Sequence, residues 1–227
     1  MSPDEAMPAG ATAVFPNKVG YVQHIDMGAL ESFAKRTEAS VFVAALPGTF
    51  VHASRPIAHF VGDTEEDFES ALREAFSVGD ERSFDQDPRF GLCVMAEIAS
   101  RALSPAINDP GTAIDVLGRA VRILAVWAEE EDVDVEYSHV HVPGLRLSDL
   151  FDDVFTPIAR DGASIAEVQI RLQKSLDALA AFEGQERYVE NATRHSRDAL
   201  ARAEAAMSFP PDIERVRQAA ALCCAAT

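Results

Sequence analysis

Lysine is scarce in this chain of 227 residues: Lys18, Lys35 and Lys174 are the whole complement, so most of the positive charge is arginine. No Lys/Arg-rich run is present. The formal charge is −17, from 37 Asp+Glu against 20 Lys+Arg. A duplex or an anionic bilayer surface repels such a chain at long range, so nucleic acid is not an expected partner. Cysteine is equally scarce, with Cys93, Cys223 and Cys224. An odd total and an adjacent pair without C-x-x-C spacing argue against a disulfide framework. Free thiols in a reducing compartment are expected instead. Long apolar runs are missing too. Val41–Leu46 is far short of the roughly 18 residues a bilayer requires, and Ala120–Ala128 is interrupted by Arg122. Met1–Asn17 lacks the basic segment and apolar stretch of a secretory signal. Its Pro, Ala and Gly content reads as a flexible leader.

The common chemical signatures are absent as well: no G-x-x-x-x-G-K, no G-x-G-x-x-G after a strand, no H-E-x-x-H and no G-x-S-x-G. Asp85 and Asp87 could open a calcium loop, but its sixth position would be Phe90 and its twelfth Ala96, where Gly and Glu are needed. His139 and His141 share one parity of an extended segment. Without a third ligand at recognisable spacing they read as polar residues on a solvated strand face. His24, His52, His59 and His195 are isolated and read as surface or hydrogen-bonded histidines. The turn Pro47–Gly48–Thr49–Phe50–Val51 looks like the edge of a small barrel that carries lipoyl or biotinyl groups. Neither Lys18 nor Lys35 sits at a hairpin tip, so the carrier role is rejected. No metal and no cofactor is expected.

What is present is a chain 48% hydrophobic, ample for a full-sized core. Val19–Ile25, Ser40–Leu46, Phe50–Val51 and Ile57–Val61 read as short strands, with a helix over Met27–Thr37. The pattern then turns helical. Asp67–Phe76 places Phe68, Leu72, Ala75 and Phe76 on one stripe, with Thr64 as N-cap. Ser77–Asp87 reads as a polar connection. Pro88–Leu103 is apolar on most sides and reads as a central helix. Asp109 caps a helix that starts at Pro110 and runs to about Glu130. Asp132–Val142 alternates like a short strand or extended linker. Helices follow over Leu147–Ile158, from a capping box Ser164/Glu167 to about Phe182, over Gln185–Met207 and over Pro210–Ala221. The fold class is α+β: a leader over 1–17, a small barrel-like β-rich unit over 18–62 and a mainly α-helical domain over 63–222.

One polar constellation stands out. Asp85, Gln86 and Asp87 precede the apolar helix Pro88–Leu103, while Arg101, Ser104, Asn108 and Asp109 follow at its far end. Caps and turn formers account for most of these. Arg101 fits less well, because a charge late in an apolar helix needs a partner or exposure. Glu97, one turn earlier, is one candidate partner. Bonds from Arg101 to Asp85, Asp87 or Asp109 would hold the turn Ser104–Pro110.

The same residues carry a family resemblance. Gly79–Asp80–Glu81–Arg82, Gln86–Asp87, Phe90–Gly91, Arg101–Ala102–Leu103–Ser104–Pro105, Ile107–Asn108–Asp109–Pro110 and Thr112–Ala113 resemble a bacterial predicted membrane protein family, the domain of unknown function twenty-two fifty-four. Gly20–Tyr21–Val22–Gln23, Ile25–Asp26, Pro47–Gly48 and Phe50–Val51 are similar to it upstream. The resemblance covers about residues 18–205 and is most specific around Ser104–Ala113. It implies membrane helices N-terminal to a soluble part, at the cytoplasmic face of the inner membrane, with this chain as the soluble part alone. It implies no activity, substrate or cofactor. Two functional expectations follow. The first is a non-enzymatic cytoplasmic domain in sensing, assembly or regulation. The second is a small-ligand binder or hydrolytic enzyme using the cluster Asp85–Asp87 and Arg101–Asp109. Apolar residues over Leu147–Ile158 and Ala178–Phe182, in excess of what one bundle face needs, suggest a homo-oligomer.

Overall fold

The computed structural model describes residues 7–62, 67–128, 134, 136–182 and 185–224, the side chains of 222–224 excepted. The chain folds as two compact units, Met1–Gly91 with Asp132–Leu145, and Leu92–Glu131 with Arg146–Thr227.

The first unit is the β-rich one. Its elements are β1 Thr12–Val14, β2 Gly20–Ile25, α1 Met27–Arg36, β3 Ser40–Val43, β4 Phe50–Val51, β5 Ala58–Val61, α2 Phe68–Glu74 and β6 Phe76–Gly79. The late strand β7, Val140–His141, joins them. They form a four-stranded sheet in the order β1-β5-β3-β7 and a three-stranded sheet in the order β4-β2-β6. All pairings are antiparallel except β3 with β7. Two open sheets thus stand where a barrel-like unit was expected. Both feed one core: Val14, Val22, Val41, Val43, Val51 and Ala58 pack with Leu30 of α1 and Phe68 and Leu72 of α2. Each large side chain buried this way gains about 1.5–3 kcal/mol over exposure.

Several local readings are corrected here. The expected leader contains β1, whose Val14 is fully buried against β5. The expected polar connection contains β6, because Phe76 buries its ring while residues 76–79 add a strand to β2. The reading of Thr64 as N-cap lies outside the described residues, as does most of Asp132–Val135. Asp26 caps α1, its Oδ1 accepting from the Ala29 amide at 2.8 Å.

The second unit is helical. It holds most of α3 Pro88–Ala102, then α4 Pro110–Ala128, α5 Leu147–Asp161, α6 Ala166–Ala180, α7 Glu186–Ala206 and α8 Pro210–Cys224. Its core is built from Leu117 and Leu124 of α4, Phe151 and Phe155 of α5, and Leu172 and Leu176 of α6. The apolar residues of Leu147–Ile158 and Ala178–Phe182 are spent here: Leu150, Val154, Ile158 and Leu179 are buried within the chain itself. The helix α3 is less central than its composition suggests. It buries Leu92, Ala96, Ala99 and Ala102 and leaves Ile98 about half exposed, at 49%. The Ser164/Glu167 box does not form, since Ile165 is the residue at the N-cap of α6 and no side chain caps it.

Buried polar groups tie these helices together. Gln173 Nε2 donates to the Ser196 carbonyl at 3.0 Å, and Ser196 Oγ donates back to Gln173 Oε1 at 2.6 Å. Tyr188 Oη donates to the Leu124 carbonyl at 2.8 Å, and burial pushes the phenol up to about 12.

Candidate functional site

The residues at the N-terminal end of α3 assemble into a knot inside the first unit. Asp87 is 3% exposed. Arg82 grips it with two bonds, Nε to Oδ2 at 2.8 Å and Nη2 to Oδ1 at 2.9 Å. Asp87 also caps α3, Oδ1 accepting from the Phe90 amide at 3.0 Å. The Arg82 guanidinium lies 4.9 Å over the Phe90 ring, which stacks on Phe84 at 4.4 Å. Gln86 binds the backbone of β2, with Oε1 accepting from the Ile25 amide at 2.9 Å and Nε2 donating to the Ile25 carbonyl at 3.3 Å. Gly48 completes the knot. It has φ +85°, and a Cβ there would land on the Asp87 carboxylate, so glycine is required for conformation and for space. Asp85 is exposed.

The C-terminal end of α3 is built differently. Ser104 Oγ donates to the Arg101 carbonyl at 2.7 Å. Asn108 takes a left-handed φ of 50°, and the next amide, Asp109 N, donates to Ala102 O at 2.8 Å. Asp109 then caps α4: Oδ2 accepts from Thr112 Oγ1 at 2.6 Å and Oδ1 from the Thr112 amide at 3.2 Å. These bonds hold the Asp109 carboxyl below its ordinary range. Arg101 is exposed. The expected bonds from Arg101 to Asp85, Asp87 or Asp109 are not made, and no ion pair to Glu97 forms. The reason is distance for Asp85 and Asp87, since the 15-residue helix α3 sets Arg101 about 20 Å from its N-terminal end, while the Asp109 carboxylate is turned to Thr112. Arg101 lines a shallow groove with Val94, Glu97, Ile98 and Ile107. The two ends of α3 therefore fall in different compact units.

The paired histidines take separate partners. His139 donates its amide to Glu31 Oε2 at 2.9 Å and places Nδ1 2.9 Å from Oε1. Desolvation works against the Glu31 charge, but the His139 ring and amide outweigh it and hold the carboxyl below its ordinary value. His141 stacks on Phe42 at 4.6 Å. Among the described residues no cluster of three or more His, Cys, Asp or Glu could hold a metal.

A second site went unread in the sequence. In the helical unit, α5 and α7 wall a cavity of about 310 Å³ lined by Asp152, Thr156, Arg194, His195, Asp198 and Arg202. His195 is 5% exposed and packs against the rings of Phe151 and Phe155. Its Nε2 lies 3.1 Å from Asp152 Oδ1, yet no aligned hydrogen bond forms and the nitrogen is left without one. The same Oδ1 is drawn to Arg194 Nη1 at 2.9 Å. Burial, aided by the Arg194 charge, depresses the His195 pKa against the opposing pull of Asp152 and Asp198. The signal lay in α7: residues 195, 198, 199 and 202 recur at helical spacing, so a titratable group shares a face with small Ala199.

The family model described as "Predicted membrane protein (DUF2254)" matches residues 1–178. An uncharacterized protein of Mycobacterium tuberculosis strain CDC 1551 / Oshkosh, MT1328, is 34% identical over 135 residues, covering 56% of this chain and 26% of that protein. The uncharacterized protein Mb1321c of Mycobacterium bovis is 33% identical over the same length, with the same coverage. The match thus spans about a quarter of the length of these curated relatives. No solved structure matches the chain.

Proposed function

Because this chain belongs to the predicted membrane protein family whose model matches residues 1–178, we propose that it is a non-catalytic domain of a membrane protein, on the cytoplasmic side, that works in sensing, assembly or regulation. The observation that carries this reading is the use the fold makes of its polar constellation. Gln86, Asp87, Ser104 and Asp109 all bind backbone groups as caps or strand clamps. Side chains committed in this way are poor candidates for general acids, bases or nucleophiles, which must reach a substrate. Among the described residues no helix is long and apolar enough to cross a membrane. Association with the bilayer through helices N-terminal to this chain belongs to the same proposal, as does self-association.

The competing reading is a hydrolytic or small-ligand-binding role for Asp85–Asp87 with Arg101–Asp109. A thermal-shift screen of metals and metabolites, run beside turnover assays on ester, phosphoester and peptide substrates, separates the two. The expected result is a raised melting temperature with at least one compound, since a ligand selective for the folded state stabilises it, and no turnover. Turnover that disappears in both Asp85→Ala and Arg101→Ala would overturn the non-catalytic reading. Both side chains are exposed, so neither change endangers the fold.

A further inference from the structure

We propose that the exposed flank of α4 is the surface on which a second copy of this chain docks, the two helices running antiparallel about a two-fold axis. The inference rests on the assembly part of the reading above and deepens it by naming the surface. α4 is apolar on nearly every side: between Pro110 and Ala128 its only charges are Asp115, Arg119 and Arg122. A helix of that kind is ordinarily covered all round. Here Ala113, Val116, Leu117, Ala120 and Leu124 are buried, and Ile114 and Val121 pack against the same core. The remaining flank leaves Ile123 at 44%, Val126 at 68% and Trp127 at 44% exposure. Trp127 is the only tryptophan of the chain, and tryptophan and arginine are among the residues most enriched where proteins meet.

The order of residues along the flank selects the occupant. Arg119, Ile123 and Trp127 recur at every fourth position and so form one stripe, about 12 Å long at the helical rise. Run antiparallel against itself, Arg–Ile–Trp meets Trp–Ile–Arg. A two-fold axis at Ile123 sets isoleucine on isoleucine and lays each Trp127 indole on the partner's Arg119, once at either end. A guanidinium over an indole face is an attractive pair. Arg119 is free to make it: its Nε donates to Asp115 Oδ2 at 2.7 Å, yet its side chain stays 59% exposed. Charge points to the same surface. Two chains of −17 repel each other at long range, and α4, with one acid against two cations, relieves that repulsion locally. A bilayer would accept the same apolar side chains but would not require Arg119 and Trp127 to be equidistant from Ile123. One helix flank is at the small end of interface sizes, so the dimer is a micromolar one rather than a nanomolar one.

The test follows the intact chain by sedimentation velocity from low micromolar to near-millimolar concentration, with Trp127 fluorescence as a second readout. The expected result is a reversible monomer–dimer equilibrium. Emission should move to shorter wavelength in step with the dimer fraction, because the only tryptophan leaves water. Ile123→Glu places two like charges on the axis and should leave a monomer. Trp127→Arg sets arginine against arginine and should weaken association by roughly tenfold or more. The double variant Arg119→Trp with Trp127→Arg reverses the stripe, keeps it self-complementary and should recover the dimer. The Asp115 pair it gives up is a surface one of little worth. All three positions are exposed, so the variants should melt with the wild type at concentrations where both are monomers. A monomer at every concentration would overturn the proposal. So would a dimer that survives Ile123→Glu, or a double variant that associates no better than Trp127→Arg. An emission shift on phosphatidylcholine vesicles without a dimer in buffer would assign the flank to a bilayer and overturn it too. Catalytic turnover in a chain that dimerises this way would sink the non-catalytic reading and leave this surface standing. A monomer without turnover would remove this surface alone.

Discussion

At the N-terminal end of α3 an arginine and an aspartate are locked together away from water, whereas at its C-terminal end the arginine is exposed and the aspartate works by itself as a cap. Asp87 is 3% exposed and answered by Arg82, the Phe90 amide and the close approach of Gly48. The Asp109 carboxylate meets its own helix through Thr112, and Arg101 meets no acid. The residue types are alike and the energetic stakes are not. A buried carboxylate costs several kcal/mol when its cation is removed, while an exposed one is re-solvated by water. The contrast separates residues that hold the fold from those that merely decorate it.

The largest effect should come from Arg82→Ala, which strands Asp87 in the knot. A loss of about 3–5 kcal/mol is expected, read as a lowered urea midpoint. Adding Asp87→Asn to that variant should recover part of the loss, because the stranded charge is gone. If Arg82→Ala matched the wild type in urea, the knot would carry no stability and the contrast would collapse.

Next comes Asn108, whose φ of 50° is costly for a side chain branched at Cβ. Asn108→Val should destabilise by about 1–2 kcal/mol, and Asn108→Gly should stay within about 0.5 kcal/mol of wild type. Equal losses from the two would show that Asn108 acts through its amide rather than through its backbone angle.

A smaller effect is expected at Asp109. Its carboxyl is held below the ordinary range by the Thr112 hydroxyl and amide. A depressed carboxylate adds stability above its unfolded pKa, about 3.9 for aspartate. That contribution disappears as pH falls through the folded value. Thermal melts of wild type and Asp109→Ala should therefore differ at neutral pH and converge in acid. A gap that widens as pH falls would have the wrong sign for a cap.

Arg101→Ala should do least, within about 0.5 kcal/mol, as for a surface change without a partner. A loss comparable to that of Arg82→Ala would mean that Arg101 finds an acid in solution after all, and that the two ends of α3 are equivalent.

Periodicity and punctuation already determine much of this protein. The Pro110 start and Asp109 cap, the β2 and β5 strands, and the stripes of α4, α5 and α7 follow from side-chain spacing and from what proline does to a backbone donor. Family membership was readable too, from the strings around Arg82, Asp87 and Ser104–Ala113. Tertiary contacts decided the rest. Residues 76–79 form a strand only because β2 offers an unpaired edge, and Val14 orders the N-terminal segment only because β5 receives it. Helical rise alone sets Arg101 about 20 Å from Asp87, but that the connection before α3 folds back to bring Arg82 onto Asp87 was out of reach of spacing rules. So was the meeting of His195 and Asp152, 43 positions apart in sequence and 3.1 Å apart in space. Local sequence sets backbone preference and which face is apolar, but burial and ion pairing depend on which distant element arrives, and that is settled only when the core closes.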